Sequence, residues 1–479
     1  ATGRVLPRTY SDHSPLVVYT QGMHTLNPRN KPFRFEAAWI SHPDLINVIK
    51  SSWHCMNNQL LDSTAVFTNR VTEWNKMVFG DIFKRKRRLL ARIEGTQKDL
   101  ASKFTRNLQY FENMLIKDYN ETLLQEEMLW FQKSRSKHIT LGDKNTKYFH
   151  ISTLNKRRKL KINALRNDDG NWFSDTEGVK SLILDYFKNL FSKSDTQHLD
   201  HWNNVTPAKF SKEDNDGFLK PLSNLEILQA VRNIGAFKAP GTDGIQAIFY
   251  HNYWSIVGKS VCEFVKACFH SKSVPDSVNE TLIVLIPKID NPANIKQFRP
   301  ISLCNVTYKI ISKIVVNRVR PLLDSLVSPN QSSFIPGRNT VDNIIVTQEI
   351  LHTLRHKKGK EGGMIFKIDL EKAYDRLSWE FIRDTLVEFN MNDEWINLIM
   401  SCVSNSKSAI LWNGEVLEGI KNERGLRQGD PLSPYLFVLC MERLSNMISS
   451  MVEGGQWKGI KVARSSPPIS HLIFADDLI

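Results

Sequence analysis

No apolar run in the 479 residues approaches the ~20 residues a bilayer-spanning helix needs, so no membrane is expected as a partner. The N-terminus lacks the charged-then-apolar layout of a signal peptide, which argues against secretion. Cysteine is sparse and scattered, at Cys55, Cys262, Cys268, Cys304, Cys402 and Cys440, and the Cys262/Cys268 spacing fits no common zinc module. Reduced, mostly buried thiols are expected, as in the nucleus and cytoplasm. Internal repeats and low-complexity tracts are missing too, which excludes a repeat array or a biased-composition linker. Acid is in deficit: Asp+Glu number 50 against 64 Lys+Arg, giving a net charge of +14 and a pI near 9.3. That balance suits a chain that meets phosphate backbones, with binding that weakens steeply as salt rises. A hydrophobic content of 41% excludes wholesale disorder, and the length suggests two to four domains on a prior of one per ~150 residues.

What is present concentrates in the acids. The run His471-Leu472-Ile473-Phe474 reads as a short strand, and Ala475-Asp476-Asp477 as a tight turn that sets two carboxylates at its tip. A third candidate, Asp369, closes the β-rich, half-buried pattern Met364 to Leu370. Taken alone, an Asp-Asp pair is a solvated turn. Together, three acids at strand ends suggest a site for two Mg²⁺ ions, each of which takes hard oxygen ligands and is held by one or two carboxylates plus substrate phosphates. Such a pair stabilises both the attacking and the leaving oxygen of a nucleotidyl transfer. After Asp369, Ala373, Leu377 and Phe381 recur at i, i+4 and i+8, which predicts a helix. An acid between a strand and a helix is where sheet-based folds expose catalytic groups. Between the acids, Gly425-Leu426-Arg427-Gln428-Gly429-Asp430-Pro431-Leu432-Ser433-Pro434 reads as a loop entering a helical stretch from Tyr435.

At these residues the chain resembles the reverse transcriptase of LINE-type non-LTR retrotransposons, and the phrasing is most similar to the plant members. The similarity runs in order through Lys238 to Ile245, Leu285-Ile286-Pro287-Lys288, Phe298-Arg299-Pro300-Ile301-Ser302-Leu303, Gln331 to Arg338, and the three blocks already described. The resemblance implies an α+β right-hand polymerase: fingers over 216–363 and a partial palm over 364–479, preceded by a mostly helical basic extension over 32–215. It implies an RNA-directed DNA polymerase that copies an RNA template from a DNA primer, a nicked target DNA, and consumes dNTPs. Two Mg²⁺ ions are the implied cofactors, with Mn²⁺ as a substitute.

Carried over position by position, Asp369 and Asp476 match metal-binding acids, Asp477 the second acid of the palm hairpin, and the Leu370 carbonyl a further ligand. Tyr374 matches the aromatic that packs under the sugar and favours deoxynucleotides. Its alternative is an ordinary core aromatic on the first helical turn. Gln428 and Gly429 match the pair that closes over nucleotide and template. Lys288 and Arg299 match fingers residues that meet the triphosphate, although Lys288 has a surface ion pair with Asp290 as its alternative. The Pro240 to Gly244 segment reads as a structural turn.

The N-terminal half carries shorter signals. Ser11-Asp12-His13-Ser14-Pro15-Leu16 resembles the final motif of an exonuclease–endonuclease–phosphatase domain. Residues 1–20 would be its remnant, with Asp12 and His13 vestigial. From Val71 to Trp130 the pattern is helical, with Leu89, Ile93, Leu100, Leu108, Phe111, Leu115 and Tyr119 at helical intervals. Basic clusters at Lys84 to Arg88 with Arg92, and at Lys156 to Lys161, read either as solvated helix faces or as RNA-facing surfaces. The block Gly142 to His150 again resembles the plant elements, with His138 where a tryptophan is expected. Because the chain stops two residues after Asp477, the second hairpin strand and a thumb are expected to be missing. That would leave an unpaired edge and an exposed apolar face. Two other classes compete: a different polymerase of the same architecture, against which Tyr374 and the N-terminal motifs argue, and a decayed, inactive fragment that only binds nucleic acid.

Overall fold

The computed structural model describes residues 2–5, 16–19, 31–57, 59–134, 146–193, 208–357, 362–404, 406–463 and 465–479. Asp12, His13, His138 and the start of the Gly142 block lie outside the described residues. The architecture is mixed α and β, with helices predominating. Strands β1 (Thr2–Val5) and β2 (Leu16–Tyr19) pair antiparallel, as do β3 (Leu165–Arg166) and β4 (Trp172–Phe173). A four-stranded sheet follows, built from β5 (Thr281–Pro287), β6 (Phe298–Cys304), β8 (Lys407–Trp412) and β9 (Glu415–Lys421) in the order β6-β5-β8-β9, with β5 parallel to β8. It therefore takes strands from both sides of residue 363. A second sheet joins β7 (Ile368–Asp369), β10 (Ile473–Phe474) and β11 (Asp477–Leu478), with β11 in the middle.

The helical extension is legible in its spacing. Ile82–Ser102 and Arg106–Ser134 form a hairpin around Leu89, Ile93 and Leu115, with Phe111 and Tyr119 packed against them. Asp81 caps the first helix, accepting from the amides of Phe83 and Lys84. Part of the first basic cluster belongs to this packing. Lys86 meets Glu126 at 2.6 Å and the Arg92 guanidinium lies over Phe111, while Lys84, Arg87 and Arg88 remain exposed. The extension is also continuous with the main core: Phe35, Trp53 and Phe67 cluster on Phe249, and Trp53 Nε1 donates to Ser260 Oγ at 2.9 Å. Aromatics of this size contribute most of the apolar area such a junction buries.

The Pro240 to Gly244 turn is structural. Asn305 Oδ1 accepts from Thr242 Oγ1 and the Asp243 amide, and Phe35 N donates to the Gly244 carbonyl at 3.0 Å. Five thiols are buried and Cys55 is exposed; none is in a disulfide. Among the described residues, no helix is long and apolar enough to cross a membrane.

Three expectations change. The strand ending at Asp369 is only two residues long and exposed, with Met364 at 72% and Phe366 at 58%. Among the described residues it pairs only with Asp477 and Leu478. The helix expected from Ala373 breaks after one turn: Ala373–Arg376 stops at an extended Leu377, and Trp379–Glu388 starts afresh behind Ser378. Leu377 O is taken by Gly425 N at 2.8 Å, so the helical ladder cannot pass through it. The second hairpin strand is present. Phe474 pairs with Asp477, Ile473 with Leu478, and Leu472 and Ile479 exchange two 2.9 Å bonds. The far edge of β10 is not bare, since Gln331 bridges Ile473 in parallel. The apolar face does stay open, as a cavity of about 590 Å³ lined by Met364, Ile365, Phe366, Ile368, Trp457 and Leu478 among others.

Candidate active site

A cleft of about 430 Å³ opens between the two sheets, and Lys288, Arg299, Asp369, Leu370, Tyr374, Gln428, Gly429 and Asp476 all line it. Every sequence-predicted nucleotide-binding residue is thus brought together. The β5/β6 hairpin supplies the cations: Ile286 is opposite Arg299, and Lys288 N donates to Gln297 O at 2.8 Å to close the pairing. Asp290 turns instead to Lys159 at 3.6 Å, an exposed pair worth little, so the surface pairing considered for Lys288 is not made.

The acids come from the other sheet. Asp369 and Asp477 are directly opposite in the β7/β11 register, and Leu370 N donates to Asp476 O at 3.5 Å. Asp369 and Asp476 line the cleft. Asp477 does not; its carboxylate lies 3.8 Å from Lys367 Nζ, with both side chains exposed. Among the described residues no group of three or more His, Cys, Asp or Glu is arranged to hold a metal. Glu371 also lines the cleft but pairs with Arg376 at 3.7 Å; Asp369 and Asp476, with the Leu370 residue beside them, nonetheless fit an ion that expects the rest of its shell from water and phosphate.

Tyr374 forms part of the wall. Its ring stacks on Phe437 at 4.2 Å and 12°, and burial followed by the nearby Asp476 charge holds the phenol well above its usual range, so it stays neutral. The ring packs on the core and also borders the cleft. Its carbonyl accepts from Leu426 N at 2.7 Å, which ties the glycine-rich loop to the Asp369 turn. Gly425 has φ +92°, and a Cβ there would sit 2.5 Å from the Asp375 carbonyl. Gly429 has φ +112°, and its Cβ would meet Ser302 O at 2.8 Å. The close approach that glycine permits is therefore to strand β6, where Ser302 N also donates to Gln428 O at 2.7 Å.

Several contributors escaped the sequence. Lys372, with φ +54°, donates to Phe298 O at 3.2 Å and adds a third cation to the cleft. Burial, then Lys288, draws its ammonium below the usual lysine range. Its position beside Asp369 was the available signal. Asp375 is buried, accepts from Gln428 Nε2 at 3.1 Å, and is pushed by burial up to about 6. Arg427 is also buried. It donates to Asn279 Oδ1 at 2.7 Å and to Cys402 O at 2.6 Å, and lies over the Tyr308 ring, whose hydroxyl donates to Asp430 at 2.7 Å. These bonds lock the loop between β5 and the helix Val306–Val319, at places no local pattern announces.

Comparison with known proteins agrees with this geometry. Residues 286–479 match the reverse transcriptase (RNA-dependent DNA polymerase) family. An uncharacterised 149 kDa protein of transposon TX1 from Xenopus laevis is 25% identical over 73% of this chain and 27% of its own length. The retrovirus-related Pol polyprotein of the type-2 retrotransposable element R2DM from Drosophila melanogaster is 28% identical over 50% of this chain and 21% of its own. An uncharacterised mitochondrial protein of Arabidopsis thaliana is 54% identical, but over 14% of this chain. The chain is thus similar, over residues 286–479, to reverse transcriptases, and over longer stretches to non-LTR retrotransposon polyproteins, and it spans about a quarter of the length of the first two relatives.

Proposed function

We propose that this chain is an RNA-directed DNA polymerase that adds dNTPs to the 3′-hydroxyl of a DNA primer paired with an RNA template. The carrying observation is the cleft that Asp369 and Asp476 line together with Lys288, Arg299 and Lys372. Cations and hard carboxylates in one cleft match a nucleoside triphosphate with divalent metal: the cations take phosphate oxygens and the acids take the ions. Asp369 and Asp476 would hold Mg²⁺, with Mn²⁺ as a substitute, and the metal when bound would stabilise charge on the attacking and leaving oxygens. Tyr374 sets the sugar boundary and favours deoxynucleotides. In this reading 216–363 act as fingers and 364–479 as palm, the exposed bases Arg87, Arg88 and Arg157 face RNA, and the chain works in the nucleus and cytoplasm. The Arabidopsis similarity supports a plant source.

The test is primer extension on an RNA template with Mg²⁺ and dNTPs, run with the chain and its Asp476→Ala variant. Extension that vanishes in the variant is expected. Extension that persists in the variant, or no extension from a folded, RNA-binding wild-type chain, contradicts the reading and favours a fragment that only binds nucleic acid.

A further inference from the structure

The block Gln331 to Arg338, placed by its sequence among the fingers, packs against β10, the strand that leads into the Asp476 turn. Ile473 N donates to Asn330 O at 2.8 Å, and Ser332 N donates to Ile473 O at 3.1 Å, so residues 330–332 act as a further strand on the outer edge of β10. Two residues later the chain turns through Ala475 at φ +53°, a left-handed conformation that an alanine holds only under constraint. The Gln331 side chain is fully buried at this point, and its Oε1 accepts from Ala475 N at 3.3 Å and from Ser333 N at 2.9 Å. Arg338 fixes the loop that presents it, donating to Val327 O and Gln331 O at 2.8 Å each and to Asp324 Oδ1 at 2.9 Å.

We propose that Gln331 is a positioning residue for Asp476, holding the Ala475 amide so that the acid leaves the turn toward the cleft. This rests on the polymerase reading of that cleft. One feature separates the role from plain packing: Gln331 Nε2 is buried with no hydrogen-bond partner. An apolar side chain would fill the space without that cost, but would leave the Ala475 amide without its acceptor.

The experiment compares the 479-residue chain with Gln331→Leu and Gln331→Glu in single-nucleotide incorporation, primer–template affinity, and amide exchange of the 471–479 segment. Glutamate keeps an acceptor at the same reach; leucine removes it. Gln331→Leu is expected to lower kcat roughly tenfold, the scale of one lost hydrogen bond. It should leave primer–template affinity unchanged and speed exchange at Ala475, while Gln331→Glu recovers most of the rate. Wild-type kcat in Gln331→Leu overturns the proposal. So does an equal loss of rate, affinity and thermal stability in both variants, which is what a merely structural residue gives. An inactive wild-type chain would instead defeat the polymerase reading, and unaltered Ala475 exchange in Gln331→Leu would then overturn the positioning role on its own.

Discussion

Asp375 shows how much of the site is carried by a residue that does not line the cleft. Burial raises its carboxyl to about 6 from an ordinary 3.8, so between those values the folded chain keeps a proton that the unfolded chain has released. Stability therefore falls as pH rises through that window. Asp375→Asn, which still offers an oxygen to Gln428, should flatten this slope in thermal melts taken from about pH 4 to about pH 6. His471 is held neutral by burial, down to about 4, and acts with the opposite sign, so the informative quantity is the variant minus wild type at each pH. A slope identical in both proteins would show that Asp375 is not the titrating group. Tyr374 carries the second residue-scale expectation. Removing its ring in Tyr374→Ala should raise rNTP use relative to dNTP use by about tenfold or more in competition assays, a contact-sized discrimination. An unchanged ratio would assign the ring to packing on Phe437 alone. Lys288, Arg299, Tyr374 and Gln428 could be read from their motifs. Lys372 had only its nearness to Asp369 as a signal, and the roles of Asp375 and Gln331 had none, because what gives these residues meaning is burial and partners such as Phe298, Gln428 and Ala475, distant in sequence.

At the scale of elements, the glycine-rich loop is the joint between the two sheets. Gly429→Ala would press a Cβ on Ser302 O and force an L-residue to φ +112°, so a loss of about 1–3 kcal/mol is expected in denaturant unfolding, together with weaker nucleotide binding. A variant as stable as wild type would mean that the loop does not rest on β6 as described. The long helices of the extension were legible because a 3.6-residue period over many turns leaves few alternatives. The break at Leu377 was hidden by the same rule, since Ala373, Leu377 and Phe381 satisfy helical spacing. What ends the turn is a hydrogen bond from Gly425, which local pattern does not contain. The β7/β11 pairing was likewise invisible: two-residue strands carry no periodicity, and Asp369 and Asp477 lie too far apart in sequence for any local pattern to pair them.

For the whole molecule, the basic extension shares the main hydrophobic core with the residues that follow it. Trp53 is 1% exposed and reaches Ser260 in the helix Ala247–Ser271. Trp53→Ala should cost about 3–5 kcal/mol and lower the unfolding midpoint of the whole chain in one transition. Loss of extension structure with the remainder melting as in wild type would argue for an independent module. The central claim is that Asp369 and Asp476 act together with the three cations on one triphosphate. Its most direct measurement is single-nucleotide incorporation on an RNA template, in Mg²⁺, by wild type, Asp369→Asn and Arg299→Ala. The account expects Asp369→Asn to abolish incorporation while primer–template binding persists, and Arg299→Ala to raise the KM for dNTP. Incorporation that survives Asp369→Asn, with KM untouched in Arg299→Ala, would contradict it.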